Sequence, residues 1–139
     1  MRVLALDYGS ARCGCAVSDP TGTIVTPLEL VERPTTKRGW ARLRALAAEY
    51  TPERVVVGLP LALDGSDSDQ TREARAFAAR LQEQLGDGAP VELYDERFTT
   101  KLAQREPARS PLRRKDRQAS EDSRAAAHLL ESWLSAQSG

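Results

Sequence analysis

The run Arg54-Val55-Val56-Val57-Gly58-Leu59 constrains the fold most. It is short and β-branched, and it lacks the apolar–polar alternation of a strand with one wet face. It therefore reads as a strand covered on both sides, the habit of parallel sheets. Parallel neighbours need a long crossover, usually a helix. Helical periodicity flanks the run on both sides. Trp40, Leu43, Leu46, Ala47 and Tyr50 recur at helical spacing before Pro52 ends the pattern. Ala74, Phe77, Ala78, Leu81 and Leu85 define an amphipathic helix over 70–85, with Ser68 or Asp69 as its cap and Gly86 and Gly88 as its stop. Val91 to Tyr94 reads as the next strand and runs into Asp95-Glu96-Arg97.

The amino-terminal third has another pattern. Val3 to Leu6 is an apolar strand that stops at Asp7-Tyr8-Gly9. Cys13 to Ser18 is a second strand, closed by Asp19-Pro20-Thr21-Gly22, and Thr23 to Val31 is a third. Turns this short make the three strands antiparallel neighbours. Pro27 marks the third as an edge or the site of a bulge. Thr99 to Arg105 reads as a short helix, 106–118 as a loop broken by Pro107 and Pro111, and 119–136 as a last helix capped by Ser120. The expected fold is α/β: one domain over 1–139, built on a mixed five-stranded sheet whose first three strands are antiparallel, with helices on both faces.

Composition narrows the functional classes. No apolar run approaches the roughly 20 residues that span a bilayer, and Asp7 interrupts the first apolar segment as no secretory leader would allow. Cys13 and Cys15, with a single histidine, cannot supply a zinc site. They are also too close in sequence for an unstrained disulfide. They read as small buried hydrophobes in a reducing compartment, and the chain as cytoplasmic. The formal net charge is zero. That balance hides a basic segment: Lys101 to Arg117 holds seven basic residues against two acidic ones.

The acids carry the chemistry. Asp7 ends an apolar strand, and Asp95 and Glu96 end another. The carboxyl ends of strands are where open α/β sheets place ligands. At 100° per helical residue, Ala126, Leu129 and Trp133 fall within about 40° of Asp122, which puts Asp122 on the apolar face of the last helix. A charge there is costly unless paired or bound to a cation. Clustered carboxylates repel and acquire raised pKa values unless a cation neutralises them. With only hard oxygen donors available, that cation is Mg²⁺ or Mn²⁺, and such a site can hold two metals astride a scissile phosphate. Taken singly, each acid has a plainer role. Asp7 can cap a turn, Glu96 can pair with Arg97, and Asp122 can complement a helix dipole.

Four blocks resemble one known family: LALDYGSARCGCAVSD (4–19), VVVGLPLALDGSDSDQT (55–71), YDERFTT (94–100) and EDSRAAAHLLESWL (121–134). In order and spacing they are similar to the signature blocks of the YqgF/RuvX family. These are small bacterial proteins of RNase H-like fold, described as pre-16S ribosomal RNA nucleases and earlier as Holliday junction resolvases. The likeness covers about residues 4 to 134.

The resemblance implies metal-dependent phosphodiester hydrolysis, with Asp7, Glu96 and Asp122 as catalytic and metal-binding acids. Asp95 is the alternative to Glu96. Arg12 follows the first Asp-x-Gly as a phosphate contact or a local pair for Asp19, and Arg97 joins it as a nucleic-acid contact. Gly58-Leu59-Pro60 matches a turn close to the site. Asp64-Gly65-Ser66 matches a polar loop that holds substrate or only turns the chain, and Thr99 and Thr100 match family threonines. Ser120-Glu121 departs from the family's usual hydrophobic pair. Arg109, Arg113, Arg114, Lys115 and Arg117 correspond to a basic segment that would attract nucleic-acid backbone without reading sequence.

The leading expectation is therefore a nuclease of structured RNA, foremost the 5′ end of precursor 16S ribosomal RNA, with a pre-ribosomal particle as its setting. Branched DNA is the alternative substrate, and a non-catalytic nucleic-acid-binding factor the alternative class. A pure binder gains nothing from carboxylates that repel phosphate. An actin-like nucleotide-binding protein would need two such lobes. Seven aromatic residues offer little stacking platform, so recognition is expected through shape and backbone. The chain reads as a monomer or weak homodimer with no membrane association.

Overall fold

A computed structural model describes residues 1–98 and 123–138. Five strands form one sheet: β1 (Val3–Asp7), β2 (Arg12–Ser18), β3 (Val25–Glu32), β4 (Arg54–Leu59) and β5 (Val91–Asp95), in the order β3-β2-β1-β4-β5. β2 runs antiparallel to both β1 and β3, while β1, β4 and β5 are parallel. The mixed sheet read from the sequence is the sheet that forms. Among the described residues its helices are α1 (Lys37–Tyr50), α2 (Asp69–Leu85) and α3 (Arg124–Ser138), and a 3₁₀ turn spans Glu96–Phe98.

The β1–β2 hairpin depends on a glycine. A Cβ on Gly9 would stand 2.7 Å from the carbonyl oxygen of Arg12, so only glycine lets the chain fold back this tightly. The β2–β3 turn is organised by Asp19. Its carboxylate accepts from the Thr21 hydroxyl at 2.5 Å and from the backbone N–H groups of Thr23 and Ile24. These bonds, the Thr21 hydroxyl first, lower its pKa to about 2. They also hold Thr23 and Ile24 in the turn, so β3 starts at Val25, two residues later than the composition predicts. β3 is an edge strand, where Pro27 removes no central ladder bond. It also carries an irregularity: Val31 to Leu28 on β3 is a three-residue step facing the two-residue step Cys13 to Cys15 on β2. That is the signature of a β-bulge.

Alternation along the strands builds two cores. Leu4, Leu6, Cys13, Cys15, Val55 and Val57 face α1 and α2. Val3, Ala5, Ala16 and Val56 face α3, against Ala126, Leu129, Leu130 and Trp133. β1 and β4 are thus apolar on both sides because both sides are covered. Among the described residues Phe77 of α2 is the largest fully buried side chain. It stacks between Tyr8 (ring centroids 4.5 Å apart) and Trp40 (5.5 Å). Cys13 and Cys15 are free and buried, as small core residues should be.

Helix ends follow local chemistry. Thr36 caps α1 by accepting from Gly39 N–H. Ser68, rather than Asp69, caps α2 in a reciprocal box with Thr71. At the carboxyl end the helix expected from 119 is observed from Arg124, and Ser123 supplies the carbonyl that accepts from Ala127 N–H. The expected cap Ser120, the helix over 99–105 and the loop over 106–118 lie outside the described residues. Among the described residues no helix is long and apolar enough to cross a membrane.

Candidate active site

The carboxyl ends of the parallel strands point to one edge of the sheet. Asp7 is the last residue of β1, and Glu96 follows β5 in the 3₁₀ turn. β4 lies between these strands, so the two acids are not neighbours in the ladder. They meet because β4 has a glycine where Glu96 crosses it. A Cβ on Gly58 would fall 2.3 Å from Glu96 Oε1. The missing side chain is the space the carboxylate occupies.

The Asp7 and Glu96 carboxyls share a hydrogen bond. Two carboxylates bond this way only while one of them holds a proton. Burial first, then the Asp7 charge and the bond to it, push the Glu96 pKa up to about 7. Burial also raises the Asp7 pKa, while the bond from Glu96 works in the opposite direction. The protein thus holds two acids where one proton is retained near neutrality, an arrangement a cation would relieve.

Of the two acids at 95 and 96, Glu96 is the one that meets Asp7. Asp95 turns to Arg97, whose Nε and Nη2 both donate to its carboxylate, Nη2 at 2.7 Å. This fork holds the Asp95 pKa below the usual carboxylate range. Arg97 Nη1 donates to the Leu63 carbonyl at 3.2 Å. Arg97 is therefore a clasp between the 3₁₀ turn and the loop after β4. In that loop Asp64 accepts from the N–H and hydroxyl of Ser66 around Gly65, whose φ is +87°, so Asp64-Gly65-Ser66 is a self-contained turn.

A cleft of about 440 Å³ opens over the acid pair, lined by Asp7, Tyr8, Arg12, Gln70, Glu73 and Glu96 among others. Arg12 is exposed on it, and Asp19 is occupied with the β2–β3 turn. Gln70 and Glu73 escaped sequence reasoning. They stand three apart on α2, and the signal that could have found them is the Ser68 cap, which turns the first helical turn towards the strand ends. Tyr8 packs on Phe77 beneath the cleft, and Tyr94 meets the Ser132 hydroxyl at 3.1 Å on the α3 face. A larger groove, about 670 Å³, lies at the opposite end of the parallel strands between the carboxyl ends of α1 and α2. It is remote from both acids.

Asp122 and the basic residues Arg109, Arg113, Arg114, Lys115 and Arg117 lie outside the described residues, as do Thr99, Thr100 and Glu121. Among the described residues, no three His, Cys, Asp or Glu side chains converge to hold a metal. Asp7 and Glu96 amount to two hard-oxygen donors, suited to Mg²⁺ or Mn²⁺ and in need of further ligands.

Known proteins resemble the chain at two levels. The fold is that of the RuvC protein of Thermus thermophilus in complex with a Holliday junction substrate, with a TM-score of 0.63 at 17% identity over 100% of this chain and 96% of that one. It is likewise that of the fowlpox virus resolvase in complex with Holliday junction DNA (TM-score 0.62, 11% identity, 99% of each chain). At the level of sequence, a Koribacter versatilis protein named "Putative pre-16S rRNA nuclease" is 39% identical over 133 residues, covering 96% of this chain and 86% of its own length. A Maridesulfovibrio salexigens protein of the same name is 37% identical over 134 residues, 96% of this chain and 98% of its own. Residues 1–136 match the family described as RuvX, Holliday junction resolvase, and with relatives this similar over nearly its whole length the chain belongs to the RuvX family.

Proposed function

We propose that the protein is a metal-dependent nuclease that hydrolyses phosphodiester bonds in structured nucleic acid, and that its substrate is precursor 16S ribosomal RNA. One observation carries the reading: the desolvated Asp7–Glu96 pair, held together by the space at Gly58 and open to a cleft. Two acids forced to share a proton are poorly placed for a structural role and well placed to hold a divalent cation. Asp7 and Glu96, with Asp122 as the third acid, would hold Mg²⁺ or Mn²⁺. Once bound, such ions polarise the scissile phosphate and lower the pKa of a coordinated water.

The chain's own residues supply the rest. Asp7 is anchored at a strand end and defines one side of the centre. Glu96 would lend its carboxylate as a second negative oxygen to such a cation. Arg12, exposed at the cleft, binds a substrate phosphate through its planar fork. The basic residues between 109 and 117 attract the backbone without reading sequence. The names carried by the RuvX relatives support ribosomal RNA as substrate, and a cytoplasmic, pre-ribosomal setting follows from it. The family description supports a second reading, resolution of branched DNA, which requires two active sites and hence a dimer.

A single assay separates these readings. End-labelled precursor ribosomal RNA and a four-way DNA junction are incubated with the protein in Mg²⁺, Mn²⁺ or EDTA, beside Asp7→Asn. Metal-dependent RNA cleavage, lost in the variant, is the expected result. Paired symmetric cuts in the junction would replace it with resolvase activity. Salt-sensitive binding with no cleavage of either substrate would overturn catalysis in favour of a binding factor.

A further inference from the structure

We propose that Ser123 is a positioning residue for the metal centre, acting through its hydroxyl at the β2–β3 bulge; this rests on the metal-nuclease reading above. Ser123 is fully buried. Its Oγ accepts from Cys15 N–H at 3.1 Å and donates to the Leu28 carbonyl at 2.6 Å. Cys15 and Leu28 are cross-strand partners where the β2–β3 register slips. The hydroxyl thus stands between two backbone groups of the ladder, a relay from N–H through O–H to C=O. A serine preceding a helix ordinarily turns its hydroxyl to the helix's own N–H groups. Here it faces the strands.

The location gives this bond its consequence. Gly14 lies inside the register slip, beside Cys15, and is the cross-strand partner of Asp7. The hydroxyl therefore fastens the start of α3 to the sheet within one residue of the strand position opposite Asp7. The next residue back along the chain from Ser123 is Asp122. Ala126, Leu129 and Trp133 hold the body of α3 on the sheet by apolar contact, which tolerates sliding. The directional bonds at Ser123 set its register. The bulge and the serine form one device: the bulge turns Cys15 N–H and Leu28 C=O towards α3, and the serine satisfies both.

The test is Mn²⁺ binding to the protein without nucleic acid, read from the paramagnetic resonance signal of free Mn²⁺, with thermal melting alongside. Ser123→Ala and Ser123→Cys are expected to weaken Mn²⁺ affinity on the order of tenfold, the usual effect of removing a group that orients a metal ligand. Ser123→Thr, which keeps the hydroxyl, is expected to restore it. The cysteine variant keeps nearly the original volume and serves if the alanine variant does not fold. Cleavage abolished in either variant should return in part as Mn²⁺ is raised. A lower melting temperature with unchanged Mn²⁺ affinity in the folded variants would overturn the inference and leave Ser123 a packing residue. The underlying reading fails separately: in that case wild-type protein binds no Mn²⁺, or Asp7→Asn binds it as well as wild type.

Discussion

Gly58→Ala is expected to separate stability from catalysis. The new Cβ would lie 2.3 Å from Glu96 Oε1 and 3.1 Å from Cδ and Cγ, where ordinary contact begins at 3.4 Å. The Glu96 carboxyl must therefore withdraw by about 1 Å, the margin by which the closest contact falls short. All three obstructing atoms belong to the far end of a flexible side chain, so the backbone can stay in place. Gly58 is not among the glycines with positive φ, and alanine can adopt its conformation. Alanine in a strand interior gains roughly 0.5–1 kcal/mol over glycine. The melting temperature should hold or rise. Cleavage should fall on the order of 10²-fold, the typical consequence of displacing a catalytic group by about 1 Å. The assay is single-turnover cleavage at saturating Mn²⁺, with Glu96→Gln and the double variant. In Glu96→Gln the alanine should add little further loss, because both changes act on one carboxylate. A Gly58→Ala protein that cleaves at the wild-type rate would refute the argument that the glycine exists to admit Glu96.

Three further outcomes are expected. The metal-free protein should lose stability as pH rises from the ordinary carboxylate range through about 7, because folded Glu96 binds its proton more tightly than the unfolded chain does. For a half-buried group screened by solvent this amounts to about 1–2 kcal/mol. Urea unfolding in EDTA at pH 5 and pH 8 should show the drop, and Glu96→Gln or added Mn²⁺ should flatten it; an unchanged slope in the variant would place the titration elsewhere. Phe77→Ala should destabilise by about 3–5 kcal/mol, since it removes the ring stacked between Tyr8 and Trp40 in a closed core. A loss below about 1 kcal/mol by chemical denaturation would mean that the stack collapses without cost. Replacing Arg113 and Arg114 by alanine should weaken RNA binding across sequences and lower the salt slope by about one for each phosphate that is no longer neutralised. Equal slopes for variant and parent would remove these residues from the interface.

Much of the architecture was legible because it depends on short-range rules. The unalternated run at Val55–Val57 required cover on both faces, and α2 and α3 supply it. Short turns after Asp7 and Ser18 required hairpins, and Pro27 required an edge or a bulge. Boundaries were less legible where side chains compete with backbone. Asp19 holds two residues that a β-propensity reading gives to β3, and the described part of the last helix starts at Arg124, after a serine that bonds the strands.

By itself the chain determined which chemical groups are available: hard carboxylate oxygens at strand ends, no thiol or imidazole set for zinc, and an arginine-rich segment of net positive charge. Residue order also determined that Asp7 and the Asp95-Glu96 pair would arrive at the same edge of a parallel sheet. Which of those two acids faces Asp7 was decided only in three dimensions. Neighbouring residues at a strand end point to opposite sides, and no periodicity says which side is the cleft. The decision came from three features between segments distant in sequence or redirected by a turn: the 3₁₀ turn that lifts Glu96, the empty Cβ position at Gly58, and the Arg97 fork that holds Asp95 away. The bulge that receives Ser123 is of the same kind, since a register slip is a property of two paired strands and cannot be read from either alone.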